Sequence, residues 1–330
     1  MLDDNLLLFF VLALILCAEF VNGWTDSPNA IATVVSTRVL SPYQAVVVAT
    51  ILNAVGAMSG TAVAATIGKD IVNPEVINLT TVGAAMVGII CWSTLAWYYG
   101  LPTSESHALI AGLTGAGLAT AGPSSLIATG WNKVLIGLAF SSFLGFFGGL
   151  LIMGTLYRCL GRSRPGSVRR VFGRLQILSA AFMAFSHGSN DGQKFIGVFT
   201  LSLLLGGVIP TFQVPLWVIL LCAVTMGVGT AVGGWRIVKT MGLRLTKLEP
   251  VHGFAAETSA ALTIELATRL GIPLSTTHTI TTSIVGVGAT RRFSAVRWGV
   301  TFEIVAAWIL TFPICGAIGW LATKFFLLFG

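Results

Sequence analysis

Charge is scarce in this sequence. Only 9% of its 330 residues are Asp, Glu, Lys or Arg, while 55% are hydrophobic. So little charge cannot clothe a water-facing surface, so most of the chain must meet lipid or other membrane helices. The five cysteines (Cys17, Cys91, Cys159, Cys222, Cys315) are odd in number and far apart. That pattern excludes a disulfide framework and a CxxC site, and they read as small apolar residues. No GxxxxGK[ST] stretch occurs, which argues against direct drive by ATP, and neither HExxH nor a zinc-ligand spacing is present. The net charge of +7 does not mark a nucleic-acid partner, because the basic residues fall between apolar runs rather than along one face. Positive charge is also missing at the start, where Asp3 and Asp4 stand, so no cleavable signal peptide is expected.

What the chain has instead is apolar length. Runs lie near 5–37, 43–66, 77–98, 103–120 and 131–157, and again near 175–209, 215–235, 252–270, 273–290 and 296–322. Between the two sets lies a basic stretch with Arg158, Arg162, Arg164, Arg169, Arg170 and Arg174. The expected organisation is a membrane repeat over 1–157, a basic cytoplasmic loop over 158–174 and a second membrane repeat over 175–330. The first run of each half is longer than the roughly 20 residues of one straight crossing, and each is interrupted by polar residues. A discontinuous crossing or a re-entrant piece is therefore expected at Asn22 to Asn29 and at His187 to Lys194.

Those interruptions match each other. Gly23 and Asp26 in the first half pair with Gly188 and Asp191 in the second, both at an offset of 165. A buried charge in hydrocarbon costs several kcal/mol, so Asp26, Asp191 and Lys194 mark a functional site rather than packing. Glycine-broken polar segments at matching places in two halves point to a transporter's midplane binding site.

The basic residues give a sidedness. With the central stretch placed inside, Arg38, Arg236, Lys239, Arg244, Lys247, Arg291, Arg292 and Arg297 also fall inside, and only Lys69, Lys133, Arg269 and Lys324 fall outside. Five crossings per half then make the halves antiparallel in the membrane, with both termini outside. The expected fold is an all-α integral membrane protein of two inverted-topology repeats, with broken or re-entrant helices at the midplane.

A second matched pair strengthens the repeat. Gly100-Leu101-Pro102-Thr103-Ser104-Glu105-Ser106-His107 parallels Gly271-Ile272-Pro273-Leu274-Ser275-Thr276-Thr277-His278, at an offset of 171. Proline followed by Ser or Thr is the chemistry of a helix start. Two such starts near the midplane would offer an oxyanion their backbone N–H groups, their hydroxyls and the positive ends of two helices.

These four motifs resemble the inorganic phosphate transporter (Pit) family, whose repeated signature is approximately Gly-Ala-Asn-Asp-Val-Ala-Asn-Ala. Gly23-Trp-Thr-Asp26-Ser-Pro-Asn29-Ala30 matches it at Gly, Asp, the second Asn and the last Ala. Gly188-Ser-Asn190-Asp191-Gly-Gln-Lys194 matches at Gly, Asn and Asp, and its form is similar to the bacterial branch. The resemblance covers essentially the whole chain. It implies symport of inorganic phosphate, driven by Na⁺ in some members and by H⁺ in bacterial ones, with phosphate sometimes carried as a divalent-metal complex. It also suggests a homodimer in a bacterial-type plasma membrane. Two departures stand out: Thr25 and Lys194 replace signature asparagines.

The residue expectations follow. Thr103, Ser104, Ser275, Thr276, Asn190, Gln193 and Lys194 are assigned to the substrate. Asp26, Asn29, Asn190 and Asp191 are assigned to the coupling ion, with Na⁺ at Asp26, Asn29 and Asp191 as one option and no structural metal or cofactor. Glu19, His107, Glu257 and His278 are candidates for a proton relay, each with a plain hydrogen-bonding role as its alternative. Glu105 and Glu303 are expected in the membrane beside basic or hydroxyl groups, whereas His187 and His252 read as structural. A sulfate or other oxyanion permease is the nearest alternative function. A membrane hydrolase or phosphotransferase would need more than Ser104 near His107, and a wide channel fits buried charges poorly.

Overall fold

The computed structural model describes residues 4–328, so Asp3 and the final two residues lie outside the described part. Within a bilayer every backbone polar group must be satisfied internally, and helices are the open-chain solution. The first half forms α1 (Asp4–Asp26), α2 (Pro28–Ser36), α3 (Pro42–Ala57), α4 (Ala62–Lys69), α5 (Leu79–Tyr99), α6 (Glu105–Ala121) and α7 (Ala128–Leu160). The second forms α8 (Pro165–Leu205), α9 (Leu216–Val232), α10 (Trp235–Lys239), α11 (Pro250–Arg269), α12 (Thr276–Arg291) and α13 (Trp298–Phe326). Among the described residues, extended pairing is limited to one antiparallel bridge between Val72 and Leu126.

Among the described residues, four segments are long and apolar enough to cross a membrane alone: Asn5–Ser36, Leu79–Tyr99, Ala128–Leu160 and Trp298–Phe326. Two more arise as bent pairs, α3 with α4 at 68° and Leu216–Val232 with Trp235–Arg244 at 59°. Broken helices are therefore present, and of the two places the polar interruptions suggested, only the first holds a break. In the second half, α8 runs unbroken for 41 residues straight through His187 to Lys194. In the first half, α1 gives way to α2 at Ser27, just before Pro28, which cannot donate a backbone hydrogen bond. The motif glycines are close-packing positions rather than breaks. A Cβ on Gly188 would overlap the backbone of Asn53 in α3, and one on Gly23 would overlap the backbone of Met226 in α9. The basic stretch is likewise shorter as a loop than expected: residues 161–164 connect α7 to α8, and Arg169, Arg170 and Arg174 ride exposed on the first turns of α8.

The helix pairing is two-fold. α6 packs on α13 as α12 packs on α7; α3 packs on α8 as α9 packs on α1; α5 packs on α1 as α11 packs on α8. The same exchange relates single hydrogen bonds. The Thr66 hydroxyl in α4 donates to the Gly271 carbonyl at 2.8 Å, and the Thr240 hydroxyl just after α10 donates to the Gly100 carbonyl at 2.8 Å. Gly100 and Gly271 both sit in the left-handed region, φ 69° and 65°, where a side chain would be strained. Each of the two hydrophobic clusters draws on both halves, one around Met86, Leu109 and Phe199, the other around Ile31, Met183 and Ile284. Neither half closes a core alone.

Many of the arginines gather at one end. Arg169 and Arg291 line one cavity, the Arg297 N–H donates to the Leu245 carbonyl beside Arg244, and Thr37, next to Arg38, bonds Gln176 beside Arg174. Lys133 meets Asp70 and Thr66 elsewhere, near Lys69 and the Gly271 turn that follows Arg269.

Replacing Gly188 by Val should force α8 away from α3 and destabilise the protein by about 1–3 kcal/mol, the usual cost of overpacking. Thermal unfolding in detergent measures this, and Gly166→Ala, at an open position on α8, should show no loss.

Candidate functional site

The two helix starts come together as their sequences promise. The Ser104 hydroxyl accepts the His107 N–H at 3.2 Å, and the Ser275 hydroxyl accepts the His278 N–H at 3.1 Å. Each cap leaves the first N–H groups of α6 and α12 without intrahelical partners. The starts touch: the Ser106 hydroxyl donates to the Leu274 carbonyl at 2.9 Å, and the His107 and His278 rings lie 4.6 Å apart, edge to face.

Lys194 binds these starts to α8. Its ammonium donates to Asp191 Oδ1, to the Ser106 hydroxyl and, at 2.9 Å, to the Leu274 carbonyl. The other oxygen of Asp191 accepts the Thr276 hydroxyl at 2.8 Å. On the first-half side, the Thr277 hydroxyl lies 3.3 Å from Asp26 Oδ1 and 3.4 Å from Oδ2, and the Asn29 amide donates to Thr277 at 2.9 Å and Thr276 at 3.3 Å. Among the described residues Asp26 thus has hydroxyl company and no ion pair, whereas Asp191 holds Lys194. All of these side chains are buried.

His187 completes the cluster. It stands one turn before Asp191 on α8, with Nε2 3.3 Å from Asp191 Oδ2. Its Nδ1 meets Asn53 Oδ1 at 3.0 Å, while the Asn53 amide donates to Thr230. With Nδ1 donating, a neutral ring turns a bare Nε2 lone pair toward a carboxylate, and Nε2 has no hydrogen bond. Ligand atoms of Asp26, His187 and Asp191 lie within 4.8 Å of one another. Two carboxylates and a lone pair this close repel unless a cation or a proton lies among them.

Other sequence-assigned residues fall elsewhere. Thr103 is buried immediately before the α6 start. The Asn190 amide, although next to Asp191, points to Thr268 at 2.8 Å and the Ile272 carbonyl at 3.4 Å. Gln193 accepts the Val63 N–H at 3.0 Å and so caps α4. Both tie α8 to its neighbours, because successive helical residues point about 100° apart and only every third or fourth faces the cluster. Glu19 accepts the Asn22 amide at 3.0 Å. Glu257 sits in a separate polar nest, taking hydrogen bonds from Thr33 at 2.5 Å, Gln176 at 3.1 Å and Ser179. His278 stacks on Trp308 at 3.7 Å, and neither of its ring nitrogens has a partner, so no hydrogen bond links it to the carboxylates. Glu105 accepts hydroxyls from Thr25 at 2.8 Å and Ser93 at 2.5 Å, whereas Glu303 is exposed on α13. Sequence reasoning missed three contributors. Thr277 and Ser106 were legible as the next hydroxyls after the assigned caps, and His187 as the residue one helical turn from Asp191.

Membrane-length helices, two-fold pairing and a buried, charged cluster at two helix starts define a multi-pass membrane transporter. The phosphate transporter family model matches residues 22–319, and the chain belongs to that family. A protein of Rhizobium meliloti, named "Probable low-affinity inorganic phosphate transporter", is 44% identical over 314 residues, 94% of each chain. One of Bacillus subtilis with the same name is 39% identical over 324 residues, 96% of this chain and 97% of its own. A solved structure titled "The sodium-dependent phosphate transporter" shares the fold at a TM-score of 0.88, with 24% identity and 98% and 99% of the two chains covered. The relatives are named as transporters, not enzymes.

Lys194→Ala should strand the Asp191 carboxylate in the interior and cost about 3 kcal/mol, as breaking one partner of a buried pair does. Adding Asp191→Asn to that variant should recover most of the loss, and thermal unfolding of the two variants measures both effects.

Proposed function

We propose that this protein is a secondary symporter of inorganic phosphate, with H⁺ as the favoured coupling ion and Na⁺ as the alternative. The observation that carries the reading is the asymmetry of the two carboxylates: among the described residues Asp191 is ion-paired with Lys194, whereas Asp26 has the Thr277 hydroxyl and the Asp191 carboxylate beside it and no ion pair of its own. Phosphate is an anion, and the uncompensated charge of Asp26 opposes it until a cation or proton arrives. That repulsion is a physical basis for obligatory coupling. Lys194 then acts as a tethered cation on one side of the two-fold, leaving one exchangeable position near Asp26, Asn29 and His187. Ser104, Ser275, Thr276 and the N–H groups of the α6 and α12 starts supply neutral donors for the phosphate oxygens. Thr103, adjoining the α6 start, belongs to the same group. Burial of these groups supports alternating access, in which the halves rock to open the site to one side at a time.

Phosphate is favoured over sulfate because it retains a proton near neutral pH. Asp26 can accept a hydrogen bond from a phosphate OH, a contact sulfate cannot make. Transport of a divalent-metal phosphate complex is a second reading, favoured by the approach of His187 to the two aspartates, since imidazole with carboxylates suits a divalent ion better than Na⁺. In the proton-coupled reading Glu257, in its separate nest, and Glu19, hydrogen-bonded to Asn22, serve as stations for protons, and His107 and His278 line the substrate cage. The gathering of arginines at one end supports a cytoplasmic orientation for the 158–174 segment, with both termini outside and the halves forming an inverted repeat. A homodimer in a bacterial-type plasma membrane rests on the family alone.

Radiolabelled phosphate uptake into proteoliposomes, with independent pH and Na⁺ gradients, tests the scheme. Uptake should follow the pH gradient, resist competition by sulfate, and fall at least a hundredfold in Asp26→Asn. Uptake abolished by chelation and restored by a divalent metal would instead favour the metal complex. A further expectation concerns the tethered cation: Lys194→Asn should acquire a dependence on Na⁺, in uptake and in thermal stability. Normal uptake with unchanged ion dependence in that variant would remove Lys194 from the mechanism.

A further inference from the structure

A cavity of about 360 Å³, sharing no lining residue with the Asp26–Asp191 cluster, lies at the arginine-rich end between the end of α7, the start of α8, the start of α11 and the end of α12. We propose that it is a site for an anionic phospholipid, taking the phosphodiester headgroup at Arg169, Arg291 and Tyr157 and the upper acyl chain along the apolar wall.

The polar groups of the cavity are arranged to meet a negative charge. Among the described residues, Arg169 and Arg291 have neither an ion pair nor a hydrogen bond, and they enter the cavity from different helices. Unpaired guanidiniums facing one cavity repel each other and gain from a shared anion that each can bind through two donors. The one carboxylate in the lining, Glu249, is engaged as the cap of α11, leaving the cavity with a net positive charge.

Tyr157 adds a neutral donor. The Glu249 N–H donates to His252 Nδ1 at 3.1 Å, so Nδ1 must be the accepting nitrogen. A neutral His252 then carries its proton on Nε2 and donates it to the Tyr157 hydroxyl, 2.9 Å away. The phenolic proton is left with no acceptor in the protein, beside the two arginines.

The wall decides for lipid over free phosphate. Leu156, Leu160 and Val168 line the cavity half-buried, an apolar surface that an inorganic ion would leave wet. The cavity lies at the end of α7, the most outward-facing of the long apolar segments. Tyr157, near the end of that helix, is 40% exposed, the place and chemistry of an interfacial aromatic. A basic pocket between helix ends at the interface is a known physical solution for an anionic headgroup.

The test reads lipid directly and does not depend on transport. The full chain is purified from vesicles containing phosphatidylcholine with phosphatidylglycerol, and retained lipid is counted by native mass spectrometry. Wild type and Arg162→Gln, whose arginine lies outside the lining, should retain phosphatidylglycerol. Arg169→Gln/Arg291→Gln should retain it roughly thirtyfold more weakly, about fivefold for each removed charge near the headgroup. Tyr157→Phe should weaken it less. All substitutions are at exposed positions, and unchanged thermal unfolding in phosphatidylcholine alone verifies the fold. Equal retention by wild type and the double variant would overturn the proposal. So would displacement of the lipid by inorganic phosphate together with arginine-dependent phosphate binding, which would assign the cavity to the free ion.

Discussion

Everything central in this protein leans on the ammonium of Lys194. It lies in an interior where an unpaired charge is costly, and it meets that cost by reaching three groups at once: Asp191 on its own helix, Ser106 at the start of α6, and the Leu274 carbonyl before α12. Through those contacts one side chain holds the longest helix of the molecule against both short, buried helices. The positive ends of α6 and α12 would repel an ammonium, yet the carboxylate of Asp191 and a carbonyl oxygen hold it in place. The arrangement leaves Asp26 as the member of the pair without a protein cation, so the two-fold scaffold carries a site that is chemically one-sided.

That one-sidedness is overlaid on close structural symmetry. Gly23 and Gly188 admit neighbouring backbones at corresponding places, Ser104 and Ser275 cap corresponding helices, and Thr66 and Thr240 clasp corresponding glycine turns. The duplicated positions carry the architecture. The positions where the copies differ, Asn29 against Lys194 and Glu105 against Thr276, carry the charge pattern. The matched positions give the two sides of the centre the same framework, and the differing ones give it unlike charge.

Much of this was legible before any coordinates. Low charge and apolar runs implied a membrane protein, the matched glycine–aspartate motifs implied two related halves, and the Pro-x-Ser pairs implied two helix starts that meet. Glycine misled at one point. In α8, the polar stretch around Gly188 looked like a break, but the helix continues because Gly188 is needed for contact with Asn53 and no proline interrupts it. Adjacent polar residues misled at another. Asn190 and Gln193 flank the site in sequence, yet the helical turn sends them to Thr268 and to the start of α4, and it brings in His187 from four residues away.

The sequence by itself determined the class, the matched motifs and the identity of the charged residues, because hydropathy, spacing and the cost of burying charge are local properties of a chain. The tertiary structure alone decided which hydroxyls reach which carboxylate, that Glu257 has its own nest rather than a place at the centre, and that Lys194 serves Asp191 and not Asp26. Those pairings join residues up to 251 positions apart. Distance along the chain carries no information about them; they follow from the crossing of helices, which only the packed structure specifies.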